Sequence, residues 1–115
     1  MSDAPLDREA LLEELEGDLE FLQETYEMFV EDAPVLLQQA QSALALEDAA
    51  QVSTTAHTLK GMVGNFHAGP AFELARQLET LGKENHLQGG QQVMEALTAE
   101  LERLKQALEG ILGEN

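Results

Sequence analysis

Apolar residues recur every three or four positions along nearly the whole chain, and no segment shows a sustained alternation of apolar and polar residues. This spacing places apolar side chains on one face of an α-helix, whereas a half-buried β-strand would alternate. Strong helix formers also dominate the composition. The pattern therefore predicts an all-α fold.

Breaks in the pattern separate a short helix from four longer ones. The short acidic helix is predicted from Leu6 to Leu15, and Asp18 is suited to cap the helix that follows. Pro34 is expected to stop or kink this second helix, because proline has no N–H and disfavours helical geometry at Ala33. The apolar spacing then continues to about Leu46.

Asp48 followed three residues later by Gln51 has the form of a capping box, and it predicts a third helix that runs to about Phe66. Pro70 is suited to the first position of a fourth helix, which fades at residues 82–85 before the Gly89-Gly90 break. Two apolar faces follow, comprising Phe72, Ala75, Leu78 and Leu81 in the fourth helix and Val93, Leu97, Leu101, Leu104, Leu108 and Ile111 in the last.

We predict from these elements an up-down antiparallel four-helix bundle with a short extra N-terminal helix. The loops between the helices are short, and the chain shows neither an internal repeat nor a low-complexity linker. A single domain covering residues 1–115 is therefore expected.

Charge and composition narrow the possible partners. The chain has 6 basic and 22 acidic residues, a formal net charge of −16, which argues against binding to nucleic acid or to an anionic membrane. No cysteine is present for disulfides or thiolate chemistry. No apolar run approaches the ~20 residues of a membrane span, and the acidic N-terminus differs from a signal peptide. We expect a cytoplasmic protein.

The third helix carries one histidine, His57, and one lysine, Lys60. On a wheel of about 100° per residue, Gly61 and Gly64 lie within about 40° of His57, and Lys60 lies about 60° away. The apolar residues of this helix fall between about 180° and 260° from His57; they are Val52, Ala56, Leu59, Val63 and Phe66. The phase predicts an exposed His57 flanked by two glycines and a solvent-facing Lys60.

An exposed imidazole beside a cation suits nucleophilic attack on an anionic group such as a phosphoryl group. Lys60 would offset charge on the transferring oxygens. A helical hairpin turning at Ala68 would place Glu79 opposite His57, where its carboxylate could accept a hydrogen bond from the ring Nδ1–H. Glu79 could equally be one more solvated acid, Lys60 an ordinary surface lysine, and Gly64 only a signal for the end of the helix.

The segment AHTLKG, with a further glycine at Gly64, resembles the signature of histidine-containing phosphotransfer (HPt) domains. The resemblance continues through FHAGPAFELARQLE and spans about residues 15 to 110. It implies that His57 is phosphorylated, that Lys60 compensates charge and that Gly61 provides clearance for a partner. Gly64 then matches a second position that holds a small residue in the family. Glu79 matches the position from which some members orient the imidazole.

The family implies a domain that binds no ATP and exchanges the phosphoryl group with an aspartate of a response-regulator receiver domain. Its partners would be such a receiver, a hybrid sensor histidine kinase, or both. No cofactor is expected on this chain, because the magnesium ion belongs to the receiver, and a monomer is expected. His67 stands where a glycine is common, and Ala75 where many relatives carry cysteine.

Met62 lies at the edge of the apolar stripe, so it is a candidate either for receiver docking or for core packing. Two other functions remain open at this point. One is a helical adaptor that binds receiver or kinase domains without phosphotransfer. The other is a di-iron protein, which four-helix bundles build on Glu-x-x-His pairs; no such pair occurs in the sequence.

Overall fold

The computed structural model describes residues 4–114 and contains, within that range, five α-helices and no β-strand. They are α1 (Arg8–Leu15), α2 (Leu19–Ala45), α3 (Ala49–Gly64), α4 (Gly69–Lys83) and α5 (Gly90–Leu112). The predicted all-α class is confirmed. Residues 1–3 and 115 of the predicted domain lie outside the described part of the chain.

Aspartates begin the first three helices. The side chains of Asp7, Asp18 and Asp48 each accept a hydrogen bond from the backbone N–H three residues later, at 3.0, 3.0 and 3.1 Å. Such a bond satisfies one of the N–H groups that a helix leaves unpaired at its start. Because Asp7 is the cap, α1 begins at Arg8, two residues later than predicted.

Only half of the predicted capping box at the start of α3 forms. The Asp48 carboxylate accepts from the Gln51 N–H, but the Gln51 side chain donates to the Thr55 hydroxyl at 3.0 Å. The Asp48 N–H does not need the Gln51 side chain as an acceptor, because it already donates to the Ala43 carbonyl at 2.8 Å.

Pro34 does not end the second helix, so that alternative of the prediction is wrong: α2 continues through it to Ala45. A proline inside a helix costs about 3 kcal/mol, because a backbone bond is lost and the ring crowds the preceding turn. Phe29 and Ala33 are buried before this point, and Ala40 is buried after it. We attribute the continuity of α2 to this burial on both sides of the proline.

The third helix ends at Gly64, two residues earlier than predicted. The chain leaves it through His67, whose φ is 55°, and the N–H of Ala68 returns to the Val63 carbonyl at 3.3 Å. A residue in the left-handed region followed by such a bond is a common way to end a helix. Pro70 is consequently the second residue of α4, after Gly69, instead of the first.

The core is built from one face of each helix. α3 packs against α2 and α4, α5 packs against α4 and α2, and α1 contacts α2. The largest fully buried side chains are Leu11, Leu22, Val52, Leu59, Val63, Leu78, Leu97, Leu104 and Leu108. The rings of Phe29 and Phe66 meet edge to face with their centroids 5.5 Å apart. Within residues 4–114, no helix has both the length and the apolar character needed to cross a membrane.

Gly82 brings α3 and α4 close together. A Cβ atom at this position would lie 2.6 Å from the Ser53 nitrogen and 2.7 Å from the Ala49 carbonyl oxygen. Gly82 is therefore a buried packing residue inside α4, although the sequence suggests only a fading helix there. The contact holds α3 and α4 close together at Ser53, about one helical turn before His57.

Candidate functional site

His57 lies in the middle of α3, with its ring directed away from the core. Its side chain is 69% exposed, whereas its neighbour Ala56 is fully buried. The orientation follows from the local sequence, because the apolar residues of α3 occupy the opposite face. The prediction that His57 faces solvent is confirmed.

Glu79 of α4 lies beside His57, where the hairpin arithmetic places it. Its Oε2 atom is 2.9 Å from the His57 Nδ1, although the residue as a whole is only 4% exposed. The carboxylate therefore comes from the buried side of the site, while the ring that it contacts stands in water. Glu79 is not one more solvated acid.

Two lysines hold the Glu79 carboxylate. Lys60 Nζ lies 2.7 Å from Oε1, and Lys83 Nζ lies 3.2 Å from Oε2. The hydrogen bond from Lys60, with smaller contributions from Lys83 and His57, lowers the pKa of Glu79 to about 2 against the opposing effect of its burial. Glu79 is therefore ionised at neutral pH.

The charge of Glu79 determines which ring nitrogen of His57 carries the proton. An ionised carboxylate can only accept hydrogen bonds, so a 2.9 Å contact with Nδ1 requires the proton on Nδ1. In a neutral imidazole the other nitrogen, Nε2, then keeps its lone pair. The exposed ring of His57 therefore has a free Nε2 that can act as a nucleophile, while its Nδ1 is held by Glu79.

Lys60 differs from the sequence expectation of a solvent-facing side chain. It is 24% exposed, because its ammonium group turns towards Glu79 and lies 5.9 Å from the centroid of the Phe72 ring. The stem of a lysine can pack along apolar surface while the charge finds a partner. Lys60 is thus part of the structure around the carboxylate and not an ordinary surface lysine.

The two glycines that flank His57 have different surroundings. A Cβ atom on Gly61 would meet nothing within 4 Å, so the surface there is open. A Cβ atom on Gly64 would lie 3.5 Å from the ring of Phe72, in ordinary contact. Gly61 therefore leaves clear space beside the imidazole, whereas Gly64 borders an aromatic side chain.

Phe72 is not in the core, so its predicted place on the apolar face of α4 is wrong. Its side chain lies at the surface, 38% exposed, against Lys60 and Gly64. The buried face of α4 is instead formed by Ala71, Ala75 and Leu78. The exposed ring adds an apolar element to the surface near His57.

Met62, inside α3, and His67, just after its end, both contact other parts of the fold. Met62 is partly buried and packs against the core, as one of its two predicted alternatives states. The His67 ring pairs with Glu14 of α1, and its backbone carbonyl accepts a bond from Asp7 at 2.9 Å. Its φ of 55° gives the reason why glycine suits this position.

Lys83 is the residue of the site that the sequence analysis does not single out. A signal was present, because a glutamate four residues before a lysine on a helix is a favourable pair. Within residues 4–114, the structure contains no group of three or more histidine or acidic side chains arranged to hold a metal ion.

Comparison with known proteins gives two matches to this geometry. The family model of the Hpt domain matches residues 24–107. The crystal structure of histidine-containing phosphotransfer protein B (HptB) from Pseudomonas aeruginosa PAO1 has a TM-score of 0.89 and 23% sequence identity, with 99% of each chain covered, and this likeness shows a shared fold. No curated protein sequence matches the chain. Because the family match covers more than half of the sequence, the chain belongs to the Hpt domain family, which has a phosphotransfer role in two-component signalling.

Proposed function

We propose that the chain accepts a phosphoryl group on Nε2 of His57 and exchanges it with an aspartate of a response-regulator receiver domain. One observation carries the proposal: the ring is exposed, and its Nδ1 is held by Glu79 at 2.9 Å. This arrangement leaves Nε2 as the free nucleophile in a fixed orientation. Family membership supports the same reaction class.

In the forward step the Nε2 lone pair attacks the phosphorus of an aspartyl phosphate. A P–N bond forms while the P–O bond to the aspartate breaks, and the carboxylate leaves with the electron pair. The proton on Nδ1 stays on the ring, where Glu79 stabilises the positive charge that the ring gains. The reverse step returns the phosphoryl group to the carboxylate, with magnesium supplied by the receiver.

Lys60 has a double role in this scheme. An ammonium group has three N–H donors, and the contact with Glu79 at 2.7 Å uses one of them. The others are available to oxygens of a phosphoryl group on the neighbouring turn of α3. Lys60 would thus hold the orienting carboxylate and also balance charge on the transferred group.

The docking surface in this proposal surrounds the bare backbone at Gly61. Gly64 and the exposed Phe72 extend it towards the start of α4. Met62, partly buried against the core, is a further candidate for contact with the receiver. A receiver must bring its aspartate within bonding distance of Nε2, which a side chain at Gly61 would obstruct. Receiver domains, hybrid sensor kinases or both are the proposed partners, and a monomer is the proposed state.

We also propose that α2, α3, α4 and α5 form an up-down antiparallel bundle to which α1 is added. The closed ring of contacts, from α2 to α3 to α4 to α5 and back to α2, supports this arrangement. In this arrangement His57, the proposed site of phosphorylation, lies on an outer wall of the bundle.

The test mixes the protein with a phosphorylated receiver and follows the label. Wild-type protein should gain a phosphoryl group that is labile in acid and stable in base, as expected for phosphohistidine. His57→Gln should abolish the label, whereas His86→Gln, which changes another exposed histidine, should retain it. Binding of the receiver without any label on the wild-type protein would favour the adaptor function instead.

A further inference from the structure

A groove opens between α2 and α5, away from the pair of helices that carries His57 and Glu79. Its volume is about 410 Å³, which lies within the range of small-molecule binding sites. The walls are mainly apolar and include Phe29, Ala33, Pro34 and Leu37 of α2 with Ala99 and Leu101 of α5. Because His57 and Glu79 belong to α3 and α4, the proposed reaction does not use this groove.

Lys105 lines the same groove and differs from the other basic residues of the chain. The other five basic side chains each pair with a carboxylate; they are Arg8, Lys60, Arg76, Lys83 and Arg103. Within residues 4–114, Lys105 has no such partner, although the chain has 22 acidic residues. Lys105 is also partly buried. An unpaired, partly buried cation beside an apolar wall indicates a site for an anion that carries an apolar body.

Two side-chain contacts give the relative direction of α2 and α5. Tyr26 of α2 bonds to Glu109 of α5, and Gln41 of α2 bonds to Gln91 of α5 at 2.8 Å. Residue numbers therefore rise along α2 as they fall along α5. Lys105 consequently lies at the N-terminal end of the part of α2 that lines the groove.

We propose that this groove binds a medium-chain aliphatic carboxylate, whose head group pairs with Lys105 and whose chain lies along α2 towards Leu37. From Val30 to Leu37, α2 rises about 10 Å, the length of an alkyl chain of about eight carbons. The proposal does not depend on the reaction at His57.

The size of the groove favours a small molecule over a protein partner. Ten residues line it, whereas a stable protein interface uses about 20–30 residues on each side. The net charge of −16 repels any anion, and Glu102 also lines the groove. Most of the affinity must therefore come from the alkyl chain leaving water, while Lys105 determines where the carboxylate lies.

The first experiment titrates the nitrogen-15-labelled protein with decanoate and follows the backbone amide signals. Saturable changes should be confined to the residues of α2 and α5 that line the groove, with a dissociation constant on the order of 0.1–1 mM for a ligand of this size. Changes spread over the whole surface, or no saturable change in this range, would overturn the proposal.

A pair of substitutions on α5 tests the location of the site. Ala99→Leu places bulk in the groove and should weaken decanoate binding about tenfold, by displacing part of the alkyl chain. Ala96→Leu is the matched control, because Ala96 is equally exposed on α5 but does not line the groove, and it should bind as the wild type does. Equal affinities of the two variants would overturn the proposal.

The second experiment tests the charge of the head group. Lys105→Gln should weaken decanoate binding about threefold, in keeping with a partly exposed ion pair, and should leave binding of the neutral decan-1-ol unchanged. Arg103→Gln also removes a positive charge from α5 but not from the groove, so it should bind decanoate as the wild type does.

Decylammonium distinguishes the groove from the overall charge of the protein. The net charge of −16 attracts a cation, whereas Lys105 repels one from its end of the groove. Decanoate should therefore cause larger changes at the groove than decylammonium at the same concentration. A tighter fit of decylammonium in the groove, or equal effects of Lys105→Gln and Arg103→Gln on decanoate, would overturn the proposal.

Discussion

Gly82 of α4 lies directly against the backbone of Ser53 in α3, so closely that a methyl group at Gly82 would come within 2.6 Å of the Ser53 nitrogen. The contact is about one helical turn from the hydrogen bond between Glu79 and His57 on the same two helices. The geometry of the site thus depends on a backbone contact that no side chain can replace.

Gly82→Ala should destabilise the protein by about 3 kcal/mol, at the upper end of overpacking effects, because the clash is with backbone and cannot be relieved by a change of rotamer. Chemical denaturation measures the change. Gly110→Ala is the control: Gly110 lies in α5 with nothing within 4 Å of its added Cβ, so it should gain about 1 kcal/mol. Equal effects of the two substitutions would contradict the role of Gly82.

Glu79 should make stability depend on pH in the acid range. Its folded-state pKa is lowered to about 2 from a usual value of 4.5, chiefly by Lys60, so its contribution is fully present above about pH 4.5. It is then lost as the pH falls through about 2. At neutral pH the contribution is on the order of 3 kcal/mol.

The measurement is the difference in unfolding free energy between wild type and Glu79→Gln over this pH range. The difference should be constant from neutral pH down to about pH 4.5 and should then shrink. A difference that stays the same throughout the acid range would show that Glu79 is not stabilised as a carboxylate.

Gly61→Leu should leave the fold intact and block the partner. A Cβ at Gly61 meets no atom of this chain within 4 Å, so the new side chain extends into the space beside His57. Transfer from a receiver should fall about tenfold or more, because small misplacements of reacting groups cost large factors in rate. Gly110→Leu adds the same bulk on α5, a helix that does not pack against α3, and should leave transfer unchanged. Normal transfer by Gly61→Leu would show that the partner does not need the open space at Gly61.

Lys60→Ala should slow phosphotransfer and also lower stability by about 2 kcal/mol, because it leaves the buried Glu79 carboxylate without its main partner. The sequence alone predicts only the first effect, since it places Lys60 in solvent; the second follows from its contact with Glu79 at 2.7 Å. Paired assays of transfer rate and denaturation midpoint check both effects. A slower transfer at unchanged stability would indicate that the contact with Glu79 contributes nothing to the fold.

The orientation of His57 could be predicted from sequence because it needs only the start of one helix and its period. Asp48 marks that start, and the apolar residues of α3 give the phase. Glu79 could be placed because a short turn at Ala68 fixes the register of two adjacent helices. Such arguments are local and need no knowledge of packing.

Other features depend on tertiary contacts that a linear pattern does not contain. Pro34 remains inside α2 because residues on both sides of it are buried together. Phe72 matches the apolar period of α4, yet it lies at the surface beside Lys60. Gly82 looks like the end of a helix in sequence, and only the proximity of Ser53 shows why a glycine is required there.

The central claim is that Glu79 holds Nδ1 of His57 so that Nε2 is the atom that takes the phosphoryl group. Nitrogen and phosphorus NMR of the phosphorylated protein, with nitrogen-15 in its histidines, identifies the bonded atom directly. We predict a single phosphorus bond to Nε2 of His57. A phosphoryl group on Nδ1 of His57, on His67 or on His86 would contradict it.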